Sequence, residues 1–108
     1  MVIHESSKYR QSYKKIILRK HMVNEEKNLV NFRTLISNVR NLKELMISPY
    51  KNIYHIEQKK GNLKEYYTAR LNNKMRLIMK PIGEYPYNEI EIEEIEFIDI
   101  DNKHYGEG

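Results

Sequence analysis

Two arginines, a group of lysines and a histidine–tyrosine pair are the residues of this chain best suited to chemistry. Arg70 and Arg76 lie on either side of the segment Leu71-Asn72-Asn73-Lys74-Met75. Lys59 and Lys60 sit in the basic turn QKKGN, Lys64 just after it, Lys80 further on, and His104-Tyr105 near the end. Guanidinium groups hold phosphate through paired N–H donors. Histidine and tyrosine act as general base or acid. Together these are the parts that RNA cleavage without a metal requires. A base takes the proton of a ribose 2′-OH, fixed cations stabilise the phosphorane oxygens, and an acid protonates the departing 5′-oxygen. Tyrosine also stacks on unpaired bases. The same side chains have plainer uses, since the arginines could pair with the acidic final strand and His104-Tyr105 could be ordinary surface residues.

Competing chemistries find little support. The chain has no cysteine, so disulfides and thiolate metal sites are out of reach. The four glycines are scattered and form no phosphate loop. His4, His21, His55 and His104 lack metal-ligand spacing, so no metal site is expected. The alternating acids before Ile95 are read as a solvated strand face.

The elements that must position these residues follow from periodicity. Tyr67, Ala69 and Leu71 share one parity, with Tyr66, Thr68 and Arg70 on the other. Met75, Leu77 and Met79 alternate with Arg76, Ile78 and Lys80. Two alternating runs around Asn72-Asn73 predict a β-hairpin. A three-residue loop, Asn72 to Lys74, pairs Leu71 with Met75, Ala69 with Leu77 and Tyr67 with Met79, and sets Arg70 opposite Arg76. Like charges facing each other across a hairpin are unfavourable, so the pair suggests an anion site.

Upstream, Met1 to Glu5 is a short edge strand. Ser6 or Ser7 caps a basic amphipathic helix that runs to about Lys20, with a break at His21 to Val23. Asn24 caps a second helix whose stripe, Leu29, Phe32, Leu35, Ile36, Val39, Leu42 and Met46, runs to Pro49. Ile53 to Glu57 reads as a further strand. From Glu89 the alternation changes parity at Glu93-Glu94, which implies a bulge or bend. From Ile95 to Ile100 both faces are apolar, as in a strand covered on both sides. The fold expected is α+β, a single domain over residues 1–108, with two N-terminal helices on a twisted, mainly antiparallel sheet of about four strands.

Charge is unevenly spread. Residues 82–108 hold nine carboxylates against Lys103 alone, a net of −8, which leaves +12 on residues 1–81 of the overall +4. A body this basic suits a polyanion such as nucleic acid. No apolar run approaches a membrane span, and no signal-peptide hydrophobic region is present, so a cytoplasmic protein without a membrane partner is expected.

The segment GNLKEYYTARLNNKMRLIMKP resembles the signature hairpin of the RelE/ParE superfamily of bacterial toxins. There a Gly-rich basic turn and an aromatic lead into an Arg-containing strand, a short loop, and then aromatic-Arg-aliphatic-aliphatic. The ending IEFIDIDNKHYG resembles the last strand of the HigB-like, or plasmid-maintenance-killer, branch, and the helix ending RNLKELM fits that branch too. The resemblance covers roughly residues 24–106.

It implies a RelE-like fold and an mRNA endoribonuclease, expected to be ribosome-dependent, that inhibits translation as the toxin of a type II toxin–antitoxin system. The implied partners are mRNA, the ribosome and a cognate helix-turn-helix antitoxin, with operator DNA reached only through the antitoxin. No cofactor is implied. Arg76 matches the family's phosphate-binding arginine, Arg70 its first-strand basic residue, and His104 and Tyr105 its terminal catalytic residues. Lys59, Lys60, Lys64, Lys80 and His55 would bind RNA. Thr68 stands where some members carry a second lysine, Met75 replaces the family's aromatic, and the order His-Tyr is reversed from some members, which leaves the identity of the base open. A ParE-like gyrase inhibitor and a non-catalytic nucleic-acid-binding domain are the alternative readings.

Overall fold

Alternation builds the centre of the sheet. In β3 (Tyr67–Asn72) and β4 (Met75–Pro81) every second side chain is buried, from Tyr67 through Leu71 and from Met75 through Met79, while Arg70 and Arg76 are exposed. The computed structural model describes residues 1–101. The remaining elements are β1 (Val2–Glu5), α1 (Ser7–Ile17), α2 (Val23–Asn38), α3 (Leu42–Ile47), α4 (Tyr50–Ile53), β2 (Glu57–Gln58) and β5 (Glu94–Asp101). Sheet order is β1-β5-β4-β3-β2, with β1 parallel to β5 and the other pairs antiparallel. The α+β class is as expected, but among the described residues the sheet has five strands, is mixed, and is accompanied by four α-helices.

The hairpin register is nearly the expected one. Tyr67 faces Met79, Ala69 faces Leu77, and Arg70 faces Arg76. The turn is tighter, however. Asn72, not Leu71, faces Met75, and a bulge between Arg70 and Asn72 takes up Leu71. The Asn72 side chain explains the tight turn, because its Oδ1 accepts the Lys74 N–H at 2.8 Å. The bulge lets Leu71 and Met75 both stay buried.

The second long helix is shorter than its stripe. It starts at Val23, with Met22 rather than Asn24 at the cap position, and it stops at Asn38. Val39 turns extended, and Asn41 starts α3 by accepting the Glu44 N–H at 2.9 Å. The Leu42 and Lys43 N–H groups, freed by the break, donate to Ile92 and Glu89 carbonyls. Val39 and Leu42 remain in the core and Met46 packs against it half-buried, so the stripe reads burial correctly but not continuity. Asn41→Ala is expected to cost about 1 kcal/mol of stability through the lost cap, read as a lowered urea midpoint.

The strand expected over Ile53 to Glu57 is also corrected. Pro49 leads into the helical turn α4 instead, and only Glu57–Gln58 pair with β3. Ser6 caps α1 as expected, its Oγ accepting the Tyr9 N–H at 2.9 Å.

β5 changes parity further along than expected. Residues 89–93 are not strand, and the irregularity lies between Ile78 and Met79 on the partner: Ile78 faces Asp99 but Met79 faces Phe97, so Ile98 is the extra residue. That bulge sends Ile95, Phe97 and Ile100 all to the helical side. The two-faced apolar pattern therefore reflects a bulge, not a second covering layer. Tyr9 of α1 and Phe32 of α2 pack on Phe97, with ring centroids 5.4 and 6.3 Å away.

β1 pairs only with Glu94 to Phe97. Beyond that point α1 lies beside β5: Ser6 Oγ donates to the Ile98 carbonyl at 2.5 Å, and Ser12 Oγ donates to Asp99 Oδ1 at 2.9 Å. A helix thus guards the strand edge where β1 ends. No helix among the described residues is long and apolar enough to cross a membrane.

Candidate active site

The alternation that buries Tyr67 and Leu77 turns Thr68, Arg70, Arg76, Ile78 and Lys80 to the face without helices. A groove of about 340 Å³ lies on that face. Thr68, Ile78 and Ile98 form its floor. Lys59, Leu63 and Tyr66 wall it on the β2 side, and Lys8 and Asp99 on the α1 side. Arg76 and Asp101, which are cross-strand neighbours, line it toward the hairpin turn.

The expected residues meet this groove to different degrees. Arg76 and Lys59 line it, and Arg70 stands across from Arg76 in the register. Among the described residues neither arginine forms an ion pair with a carboxylate. Lys80 sits behind the groove wall, 5.8 Å from the Tyr66 ring centroid and 3.9 Å from Glu65. Lys60 and Lys64 are exposed and outside the lining; Lys64 lies over the Tyr85 ring at 5.1 Å. His55 is exposed, also outside the lining, in a left-handed backbone conformation (φ 47°). Its neighbour Tyr54 accepts the Arg70 N–H at 2.6 Å, which brings this loop against the hairpin edge. His104 and Tyr105 lie outside the described residues.

Four charged or aromatic lining residues are not among the site residues expected from sequence: Lys8, Tyr66, Asp99 and Asp101. Tyr66 was legible, since it shares parity with Arg70. Lys8 and Asp99 come together only through the α1–β5 packing, with Nζ and Oδ2 3.4 Å apart. The groove combines cations at its rim with an apolar and aromatic interior. That is the combination a single nucleotide needs, with phosphate on the cations and base against Leu63, Tyr66 and Ile78. Among the described residues no cluster of three His, Asp or Glu side chains is placed to hold a metal ion.

Three tyrosines are removed from acid–base duty near neutral pH. Burial pushes Tyr9, Tyr67 and Tyr87 up to about 12. The unfolded chain releases these protons near pH 10, whereas the folded chain keeps them until about 12. Between those values the unfolded state binds fewer protons, so stability falls as pH rises. For the nearly inaccessible Tyr9 and Tyr67 the slope is roughly 1.4 kcal/mol per pH unit each. Urea titrations between pH 9 and 11 should show this loss, with a shallower slope in Tyr9→Phe.

No protein-family model and no curated protein matches the sequence. Solved structures do match. YafQ from E. coli strain BL21(DE3) superposes with a TM-score of 0.65 at 18% identity, over 98% of this chain and 97% of that one. The fold is that of the YafQ and YoeB toxins. A YoeB/ParE toxin from Agrobacterium tumefaciens gives 0.65 at 12% identity, over 94% of this chain and 98% of that one. YoeB in its heterotetrameric toxin–antitoxin complex with YefM from Staphylococcus aureus gives 0.59 at 18% identity, over 92% of both chains. YafQ and YoeB thus share this chain's layout over almost its whole length, groove-bearing sheet included.

Proposed function

We propose that this chain is the toxin of a type II toxin–antitoxin pair, of the HigB-like branch, and that it cleaves mRNA on the ribosome as a metal-independent endoribonuclease. The observation that carries this reading is the Arg70–Arg76 pair. Two like charges are held face to face beside a nucleotide-sized groove; Asp101 is the other cross-strand neighbour of Arg76, and neither arginine forms an ion pair within 4 Å among the described residues. An arrangement that costs stability when empty is repaid when an anion bridges it. The fold shared with YafQ and YoeB supports the toxin reading, and the HigB-like ending of the sequence supports the branch. The DinJ–YafQ and YoeB–YefM complexes support an antitoxin partner for this chain as well.

In this mechanism Arg76 holds the scissile phosphate and stabilises the charge of the phosphorane. Arg70 adds a second cation from the facing strand. Lys59 and Lys8 hold flanking phosphates, and Tyr66 stacks on the base. His104 and Tyr105 transfer the protons. β5 brings the chain into the groove at Asp101, three residues before His104. The test is mRNA cleavage in a translating extract by the wild type, Arg76→Ala and His104→Ala. Both variants should lose cleavage; full cleavage by both would refute the assignment. Intact mRNA together with an SOS response in cells producing the wild type would point to a gyrase inhibitor instead.

A further inference from the structure

The groove has a neighbour. A second cleft, of about 370 Å³, opens between α1 and the edge of β5 that β1 leaves uncovered. Lys8 and Asp99 line both clefts, so the two adjoin at that pair. Along the second cleft run Lys8, Ser12, Lys15 and Arg19. Their spacing of three to four residues puts them on one side of α1 and its C-terminal turn. Lys8 and Lys15 are about 10 Å apart along the helix axis, and Arg19 lies one turn further.

The charges here are unbalanced. Asp99 is the one carboxylate among the described lining residues, and it is already engaged by Lys8 and Ser12. Lys15 and Arg19 are exposed, and neither forms an ion pair among the described residues. Ile16, Met22 and Ile100 give the cleft an apolar bed. Three cations along a shaped channel, two of them without an ion pair among the described residues, continuous with a nucleotide-sized groove, match a polyanionic strand better than an isolated anion.

We propose that this cleft is a track for single-stranded RNA leaving the groove, with Lys15 and Arg19 contacting its backbone phosphates. The inference rests on the RNA reading of the groove and extends it to the substrate beyond the scissile bond. Lys8, paired with Asp99, marks where the strand passes from one cleft to the other.

The test uses 2′-O-methyl RNA, which lacks the nucleophile and survives contact with the full-length protein. Fluorescence anisotropy measures binding of oligonucleotides of about four and about twelve nucleotides over a salt series. Two lost phosphate contacts lower the slope of log affinity against log salt by roughly 1.4 for a single strand. Lys15→Ala/Arg19→Ala is therefore expected to bind the longer oligonucleotide at least about tenfold more weakly near 0.1 M salt, with that shallower slope, and the shorter one within about twofold of wild type. Arg40→Ala/Lys43→Ala removes the same charge near α3, whose start is bonded to Glu89 and Ile92 before β5 begins. It should bind the longer oligonucleotide like the wild type. Equal slopes for wild type and Lys15→Ala/Arg19→Ala, or an equal loss in the Arg40→Ala/Lys43→Ala control, would overturn the track. Failure of the wild type to bind either oligonucleotide would overturn the RNA reading itself, and the track with it.

Discussion

Arg76→Ala is expected to lower RNA cleavage by about 10²–10³-fold while leaving the protein nearly as stable as the wild type. The first half follows from the role proposed for the side chain. A cation aimed at charge that develops only in the transition state is worth about 3–4 kcal/mol in a partly enclosed site. The second half follows from the register. Arg76 faces Arg70 across the hairpin and Asp101 across β5, and its side chain is exposed, with no ion pair among the described residues. Removing Arg76 relieves roughly 0.2–1 kcal/mol of repulsion from Arg70 and gives up a similar attraction to Asp101 on the other flank, so the net change is small. Activity should thus fall while stability stays nearly level. Single-turnover cleavage and urea denaturation of the same preparation measure the two effects. A variant that loses activity and several kcal/mol of stability together would make Arg76 structural. Arg76→Lys should recover only part of the rate, because an ammonium keeps the charge but not the paired donors.

That register was readable because the hairpin is local. Tyr67, Ala69 and Leu77, Met79 alternate without interruption, and period-2 burial leaves one arrangement that keeps all of them inside. The loop was misjudged by one residue because the Asn72 side chain competes for the Lys74 N–H, a choice that alternation does not encode. The long helical stripe failed in a related way. Leu29, Phe32, Ile36, Val39 and Leu42 of it are buried in the core, with Leu35 and Met46 packed against that core, yet Asn41 restarts the helix there. A cap in mid-stripe is visible as an asparagine but becomes decisive only when Ile92 and Glu89 supply acceptors for the next N–H groups. The groove was half legible. Arg76 and Lys59 came from local spacing, but Lys8 and Asp99 are 91 residues apart and meet only after α1 has replaced β1 beside β5.

Phe97→Ala is expected to cost about 3–5 kcal/mol, and Ile98→Ala distinctly less. Phe97 is fully buried, edge-on to Tyr9 and against Phe32, with the Arg33 guanidinium 5.9 Å from its ring centroid. Its loss leaves a cavity that α1 and α2 cannot both close, because each is tied to a neighbouring strand through Ser6 and Arg33. Out of a total stability of about 5–15 kcal/mol, this lowers the melting temperature by roughly 10–30 °C. Ile98 is the extra residue of the bulge and lines the open groove, half-buried, with fewer neighbours to lose. The pair of variants therefore tests the bulge. If β5 were a regular strand covered on both faces, as its apolar run suggested, the two substitutions would be similarly damaging. With the bulge present, Phe97→Ala should act on thermal unfolding, whereas Ile98→Ala should act chiefly on RNA binding, by deepening the floor on which the base rests. Comparable losses of stability in both would return the strand to the two-sided reading and remove Ile98 from the groove.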